Sequence, residues 1–385
     1  MTATLRLLHL VNSHSTNVGN GALADGAERV LGEDLAAPVS WSRVPWDDYT
    51  FGLKKFDRDF VGAINRSDGM IVGGAVTING RAYLEHAGMR FDLPPALWPE
   101  IRKPLIFYGI SYRHWAGQRF HHADKLRWAF DHALGRQDML LALRNDGTRE
   151  WLEGALGIAS DRLHVIPDPA VFVEADDAAA AADDLALDPG RPNIVLALND
   201  EDSAERYGTP ERRMEVLRGI AQALEPVLDA RGANLVLAPH YFDDHRMIAD
   251  FIACCRPQLA HQRMISTGLA RMADAKRFYG RYARAQLVIA MRVHAMSPSI
   301  GLGVPMIPLV TQDRLGRFLD DVGLGDLAID ALAPDLAGRL RVAIEAALDR
   351  PDELRRRFRV TRDGMRARLG AFNRKVGELL HGQTR

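Results

Sequence analysis

Arg292 and His294 stand one residue apart at a sharp change of composition. An apolar run, Leu287-Val288-Ile289-Ala290, leads into them; a small-residue segment and Gly301-Leu302-Gly303-Val304-Pro305 follow, and a second apolar run closes the stretch at Leu309. A fixed cation beside a titratable imidazole suits a phosphate or carboxylate that must be held while a proton is delivered. The alternative is a packed turn around a buried histidine. It leaves Arg292 needing a partner of its own beside an apolar strand.

Other clusters carry weaker signals. Asn17-Val18-Gly19-Asn20-Gly21-Ala22-Leu23 combines glycines with a helix start, where unpaired N–H groups can meet an anion. It is neither GxGxxG nor a P-loop, and its plain alternative is a loop with Asn20 as helix cap. Gly73-Gly74 marks close approach of a ligand or of another backbone. Ser111-Tyr112-Arg113-His114 lacks the spacing of a serine nucleophile, which leaves His114 as a polar contact or a surface histidine. Arg144 of Arg144-Asn145-Asp146-Gly147-Thr148 offers a forked donor at a strand end, or an exposed arginine in a capping loop. His240 and His245 with Asp243 and Asp244 invite a metal, but no further cluster has ligand spacing. A strand-end loop with an Asp capping the next helix fits better, His240 being kept as a substrate contact and no metal being expected.

The elements that must position these groups alternate. Strands are expected over Leu5–Val11, Gly69–Gly74, Pro104–Gly109, Met139–Leu143 and Leu163–Ile166, with helices between them, the first over Ala22–Leu31. The Asp- and Ala-rich stretch Glu174–Pro192 reads as a boundary. A second series follows: strands near 193–198, 234–238, 264–265 and 287–290, and helices over 210–230, 243–255 and 270–283. The fold class is α/β, with two Rossmann-like domains of mostly parallel sheets and C-terminal helices. The expected bounds are 1–175, 190–332 and 333–385. The tail carries Arg355, Arg356, Arg357, Arg359, Arg362, Arg366 and Arg368, read as a solvated helix face or as a patch for anionic lipid head groups.

Composition bounds the rest. A chain of 385 residues suits two domains. A formal net charge of −1 gives no global attraction to nucleic acid. Cys254 and Cys255 are adjacent and make neither a disulfide framework nor a zinc motif, so a reducing cytoplasm is expected. The N-terminal apolar stretch is too short for a signal segment, and no run of about 18 apolar residues is present to span a bilayer. A lipid-linked substrate would be met from the cytosol, at the inner face of the membrane.

Taken in order, these segments resemble the polysaccharide pyruvyl transferase family. The segments are Asn17–Leu23, Gly73-Gly74, Arg144 with Thr148, Pro167-Asp168-Pro169-Ala170, and above all Arg292-x-His294-Ala295 with Gly303-Val304-Pro305. The resemblance implies a fold like two-domain GT-B glycosyltransferases, with the two domains facing a cleft and the donor on the C-terminal side. It implies transfer of the enolpyruvyl unit of phosphoenolpyruvate to sugar hydroxyls of a glycan precursor, with release of phosphate and formation of a pyruvate ketal. His294 and Arg292 are then the catalytic pair, and Asn17, Gly19, Asn20, Gly73, Gly74, His114, Arg144, His240 and Arg314 bind substrate. No cofactor is implied beyond phosphoenolpyruvate as donor. The acceptor is a sugar or a lipid-linked glycan, and peripheral membrane contact and homo-oligomerisation stay open. Asn20 and Asn145 stand where the family has acids, Thr148 replaces a serine, and Arg314 stands near a lysine position. A nucleotide-sugar glycosyltransferase and a non-catalytic sugar-binding member are the alternatives. On the first reading a protonated His294 acts as general acid toward the donor's methylene carbon, gaining its proton when the polyanionic substrate binds.

Overall fold

The computed structural model describes residues 3–82, 84–113, 115, 117–176 and 190–382. Two units emerge, each built on its own parallel sheet. The first comprises 1–15, 23–169 and 365–385; the second comprises 16–22 and 170–364. These bounds differ from the expected ones at three places. The loop 16–22 belongs to the second unit. The helix Leu336–Asp349 buries Leu336, Leu340 and Ile344 in the second unit's core, so it is part of that domain. The last helix, Pro351–Gly382, is divided between the units at Met365. Most of the stretch expected as the boundary, 177–189, lies outside the described residues.

The first unit's strands are β1 (Leu5–Val11), β2 (Val39–Pro45), β3 (Gly69–Val72), β4 (Val76–Asn79), β5 (Leu105–Arg113), β6 (Met139–Arg144) and β7 (Leu163–Ile166). They run in the order β2-β1-β3-β5-β6-β7, with β4 also paired to β5. Every pairing is parallel. β3 is buried along its whole length, as a strand covered on both faces must be, which explains its continuous apolar sequence. β2 is an edge strand with half-exposed residues, and its weak alternating pattern kept it out of the sequence reading. Gly109 adopts φ +67 in the middle of β5, and the register with β6 shifts between Tyr108 and Ile110. That bulge turns the outgoing end of the strand.

The second unit's strands are β8 (Asn193–Ala197), β9 (Asn234–Leu237), β10 (Met264–Ser266), β11 (Leu287–Ala290), β12 (Met306–Val310) and β13 (Ile329–Asp330). Their order is β10-β9-β8-β11-β12-β13, the doubly wound arrangement in which the chain reverses its direction of travel between β8 and β11. Ile194, Leu196, Leu237, Leu287 and Ile289 are fully buried at its centre, each contributing about 1.5–3 kcal/mol by removal from water.

The arginine-rich tail is more than a solvated face. Arg357 pairs with Asp326 at 2.6 Å within the second unit, and Arg366 pairs with Asp34 at 2.6 Å within the first. Beside it Asn373 accepts from the Tyr108 hydroxyl at 2.8 Å and donates to Asp34 at 2.7 Å. Among the described residues no helix is long and apolar enough to cross a membrane.

Candidate active site

The loops leaving β8 and β11 diverge at the reversal point, where open α/β sheets leave a crevice beyond the carboxyl ends of their strands. Arg292 sits there in extended conformation (φ −136, ψ 145), one residue before the helix Val293–Leu302. Its Nη1 meets Glu201, on the β8 loop, at 3.2 Å, and its Nη2 meets Asp244. Asn199 ties the same two loops by donating to the Met291 carbonyl at 3.3 Å. Asp244 is fully buried and accepts from the backbone N–H groups of Asp200 at 3.2 Å and of His240 and Tyr241 at 2.9 Å. One carboxylate thus joins the loops after β8, β9 and β11. Arg292 is 7% exposed, and its Nε has no hydrogen-bond partner among the described residues. Burial opposes its charge, but Asp244 and Glu201 outweigh that and raise its pKa.

His294 lies in the first turn of that helix and is half-buried. Its backbone carbonyl accepts from the Tyr279 hydroxyl at 2.7 Å. Residues 17–21 come against it from the other end of the sequence. A Cβ placed on Gly19 would fall within the His294 imidazole, so only glycine permits this approach. The helix Val18–Asp34 starts at Val18, whose N–H donates to the His240 carbonyl at 3.2 Å. Asn17 accepts from the N–H of Gly19 at 3.1 Å and so occupies the capping role first assigned to Asn20, which stands in the first helical turn instead. Within the second unit, then, Gly19 lies against His294 and Val18 against the His240 carbonyl.

His240 takes a different place. It is 1% exposed, its Nε2 pairs with the Tyr282 hydroxyl at 2.6 Å, and the rings of Phe278 and Tyr279 stand edge-on to it. Burial, then the charges of Arg292 and His294, hold its pKa well below the usual histidine value. The expectation of a substrate contact at His240 is therefore corrected: it is a neutral interior group beneath the site. Arg314 is half-buried in the first turn of the helix Asp313–Asp321, after β12. Among the described residues no group of three or more His, Cys, Asp or Glu is placed to hold a metal ion.

Arg144 belongs to the first unit and is 1% exposed. Its guanidinium meets the carbonyls of Gly74 and Gly109 and the carboxylate of Asp168, the last two at 3.5 Å. Asn145 accepts from the Asp168 N–H at 2.9 Å, and Thr148 accepts from the Tyr112 N–H at 3.1 Å while donating to Asp146 at 2.7 Å. The whole element knits β5, β6 and β7 together, and the expected substrate-facing fork at Arg144 is corrected to a buried clamp on backbone carbonyls. Gly73 and Gly74 serve the same packing. A Cβ on Gly73 would lie 2.8 Å from the Leu10 carbonyl, and one on Gly74 3.0 Å from the Tyr108 carbonyl. Their close neighbour is backbone. His114 lies outside the described residues.

Sequence reasoning missed the carboxylates that hold Arg292. The acidic run Asp200-Glu201-Asp202 soon after β8 was the available signal for Glu201, and Asp244 was seen only as a helix cap or as part of a metal cluster. It also missed a network in the first unit. His9 of β1 meets Glu28 at 2.8 Å, and Glu28 meets Arg43 of β2 at 2.8 Å. Burial would push the Glu28 carboxyl up, but hydrogen bonds from His9 and Arg43 win and bring it down to about 2.

Comparison with known proteins agrees with this architecture. No curated protein sequence matches the chain. Among solved structures, the Escherichia coli ADP-heptose lipopolysaccharide heptosyltransferase II superposes with a TM-score of 0.50 at 12% identity, covering 90% of this chain and 100% of that one. An α,α-trehalose-phosphate synthase (UDP-forming) from Burkholderia vietnamiensis gives 0.51 at 12% identity, covering 98% and 97%. A spinosyn rhamnosyltransferase bound to thymidine diphosphate gives 0.51 at 11% identity, covering 97% and 99%. At such identities the likeness is one of fold, that of GT-B glycosyltransferases, with two mostly parallel α/β sheets. The model of one protein family matches residues 17–313, from the loop seated on His294 to the strand beyond it, and the chain belongs to the polysaccharide pyruvyl transferase family and is a transferase.

Proposed function

We propose that the protein transfers the enolpyruvyl unit of phosphoenolpyruvate to hydroxyls of a sugar in a polysaccharide or glycan precursor, forming a cyclic pyruvate ketal. The observation that carries this reading is the packing of Gly19 against the His294 imidazole beside Arg292, at the strand ends where ligands bind in such sheets. His294 gives its proton to the donor's methylene carbon, and positive charge grows on the neighbouring carbon. A sugar hydroxyl bonds to that carbon and returns its proton to His294. The carbon–oxygen bond to phosphate then breaks, a second hydroxyl closes the ketal, and its proton leaves with the phosphate. Arg292 presents a cation to the donor's anionic groups. Its contact to Glu201, the looser of its two, is the one an incoming anion would displace. The scheme calls on no metal and no redox cofactor, because a proton and two hydroxyls account for every bond made.

Mixing the protein with phosphoenolpyruvate and candidate glycans should release phosphate. His294→Ala should lower turnover by at least about 100-fold, the scale of losing a general acid, with an unchanged melting temperature. Turnover near that of the wild type in His294→Ala overturns the assignment. Release of a nucleoside diphosphate from a sugar donor, with phosphoenolpyruvate inert, would replace it by a glycosyltransferase.

A further inference from the structure

A pocket lies on the same carboxyl edge of the second unit's sheet, beyond β10. The loop after β10 and the helix Ala275–Ala283 border an open cavity of about 380 Å³. That volume accommodates a small ligand rather than a few waters. Arg277 and Arg281 line it from positions four apart, on one face of the helix. Thr267 lines it from the loop; it is 6% exposed, and its Oγ1 has no hydrogen-bond partner among the described residues. Leu269 and Phe278 add apolar wall, and Asp274 supplies a carboxylate.

We propose that this cavity binds the phosphate of an acceptor glycan that reaches the enzyme phosphate-linked to its carrier. The Arg277 and Arg281 guanidinium forks, together with the Thr267 hydroxyl, are the kinds of donor a phosphate ester demands. Asp274 favours a ligand that carries hydroxyl donors next to its phosphate, as a sugar 1-phosphate does, over a bare anion. The apolar wall gives the sugar ring a face to cover. The same helix connects this cavity to the reaction site: Phe278 stands 4.9 Å from the His240 ring, and the Tyr279 hydroxyl holds the His294 carbonyl at 2.7 Å. An acceptor anchored here sits on the helix that fixes the proposed acid. The inference rests on the transferase reading for the word acceptor, but the binding site itself can be tested without turnover.

Calorimetric titration with glucose 1-phosphate, in saturating phosphoenolpyruvate, measures the site directly. Arg277→Ala/Arg281→Ala should bind at least about tenfold more weakly than wild type, the loss expected for charge-assisted hydrogen bonds, and Thr267→Val should show a smaller loss with the fold intact. His294→Ala should bind like wild type. Equal affinity in the double variant and wild type overturns the proposal, as does a loss found only in Arg292→Ala, which would assign the ligand to the reaction site. Two acceptor arms then identify the carrier. If KM rises in the double variant for a polyprenyl-diphosphate-linked sugar, with kcat kept, the carrier is a lipid; if it rises for a nucleoside-diphosphate-linked sugar, the carrier is a nucleotide. KM unchanged for both refutes the role in acceptor binding. Arginine-dependent binding in a protein inert to every acceptor would support the site and count against pyruvyl transfer.

Discussion

Arg144 and Arg292 look alike in the sequence: each ends an apolar strand and opens a loop. Their surroundings make them different instruments. Arg144 meets two backbone carbonyls and the carboxylate of Asp168, from three parts of one unit and all of them buried. Arg292 is held by two side-chain carboxylates, one of them on a loop with partial exposure, and it borders a half-buried imidazole. A guanidinium against carbonyls stabilises the chain's path. A guanidinium against a displaceable carboxylate beside an acid can serve chemistry.

The contrast is most exposed to disproof at Arg144. Arg144→Ala strips a partner from Asp168 in a fully buried setting, so it should cost about 3–5 kcal/mol of stability, read as a shift in the denaturant midpoint. A variant of normal stability that has lost only donor affinity would erase the distinction and return Arg144 to the substrate.

Next in size is Gly19→Ala. The added methyl must displace either the loop or the His294 ring. A misplacement of about 1 Å can cost about 100-fold in rate, so kcat should fall by about 10- to 100-fold, while the loss of stability stays within about 1–3 kcal/mol. Wild-type kcat in this variant would mean that the contact between loop and imidazole plays no part in turnover.

The smallest effect belongs to the His9–Glu28–Arg43 network. Glu28 is brought from its usual 4.5 down to about 2 in the folded state. A depressed carboxyl pKa contributes stability that is present above the unfolded value and is lost as pH falls from about 4.5 toward about 2. Glu28→Gln should therefore be less stable than wild type at neutral pH, and the gap should close across that acid window when unfolding is followed by circular dichroism. A gap independent of pH would show that the network acts through packing alone.

Much of the architecture was legible in the sequence because parallel strands buried on both faces are written as unbroken apolar runs. Leu5–Val11 and Leu287–Ala290 were found at their observed bounds for this reason. β2 was missed because an edge strand keeps polar residues on its open side. The site was half legible. Arg292 and His294 stood out by type and spacing, but Glu201 and Asp244 are ordinary acids until the fold brings them to a guanidinium 91 and 48 residues away along the chain. His240 shows the opposite error: its sequence setting suggested a ligand, and burial against Tyr282 made it interior.

By itself, the order of apolar runs and glycine-bearing loops determined that this chain forms two parallel α/β sheets, because hydrophobic periodicity and turn chemistry are local properties. Which strand-end arginine clamps backbone and which meets side-chain carboxylates was decided only in three dimensions. That choice depends on long-range neighbours, since the charge of a buried guanidinium takes its function from whatever carboxylate or carbonyl the fold sets against it.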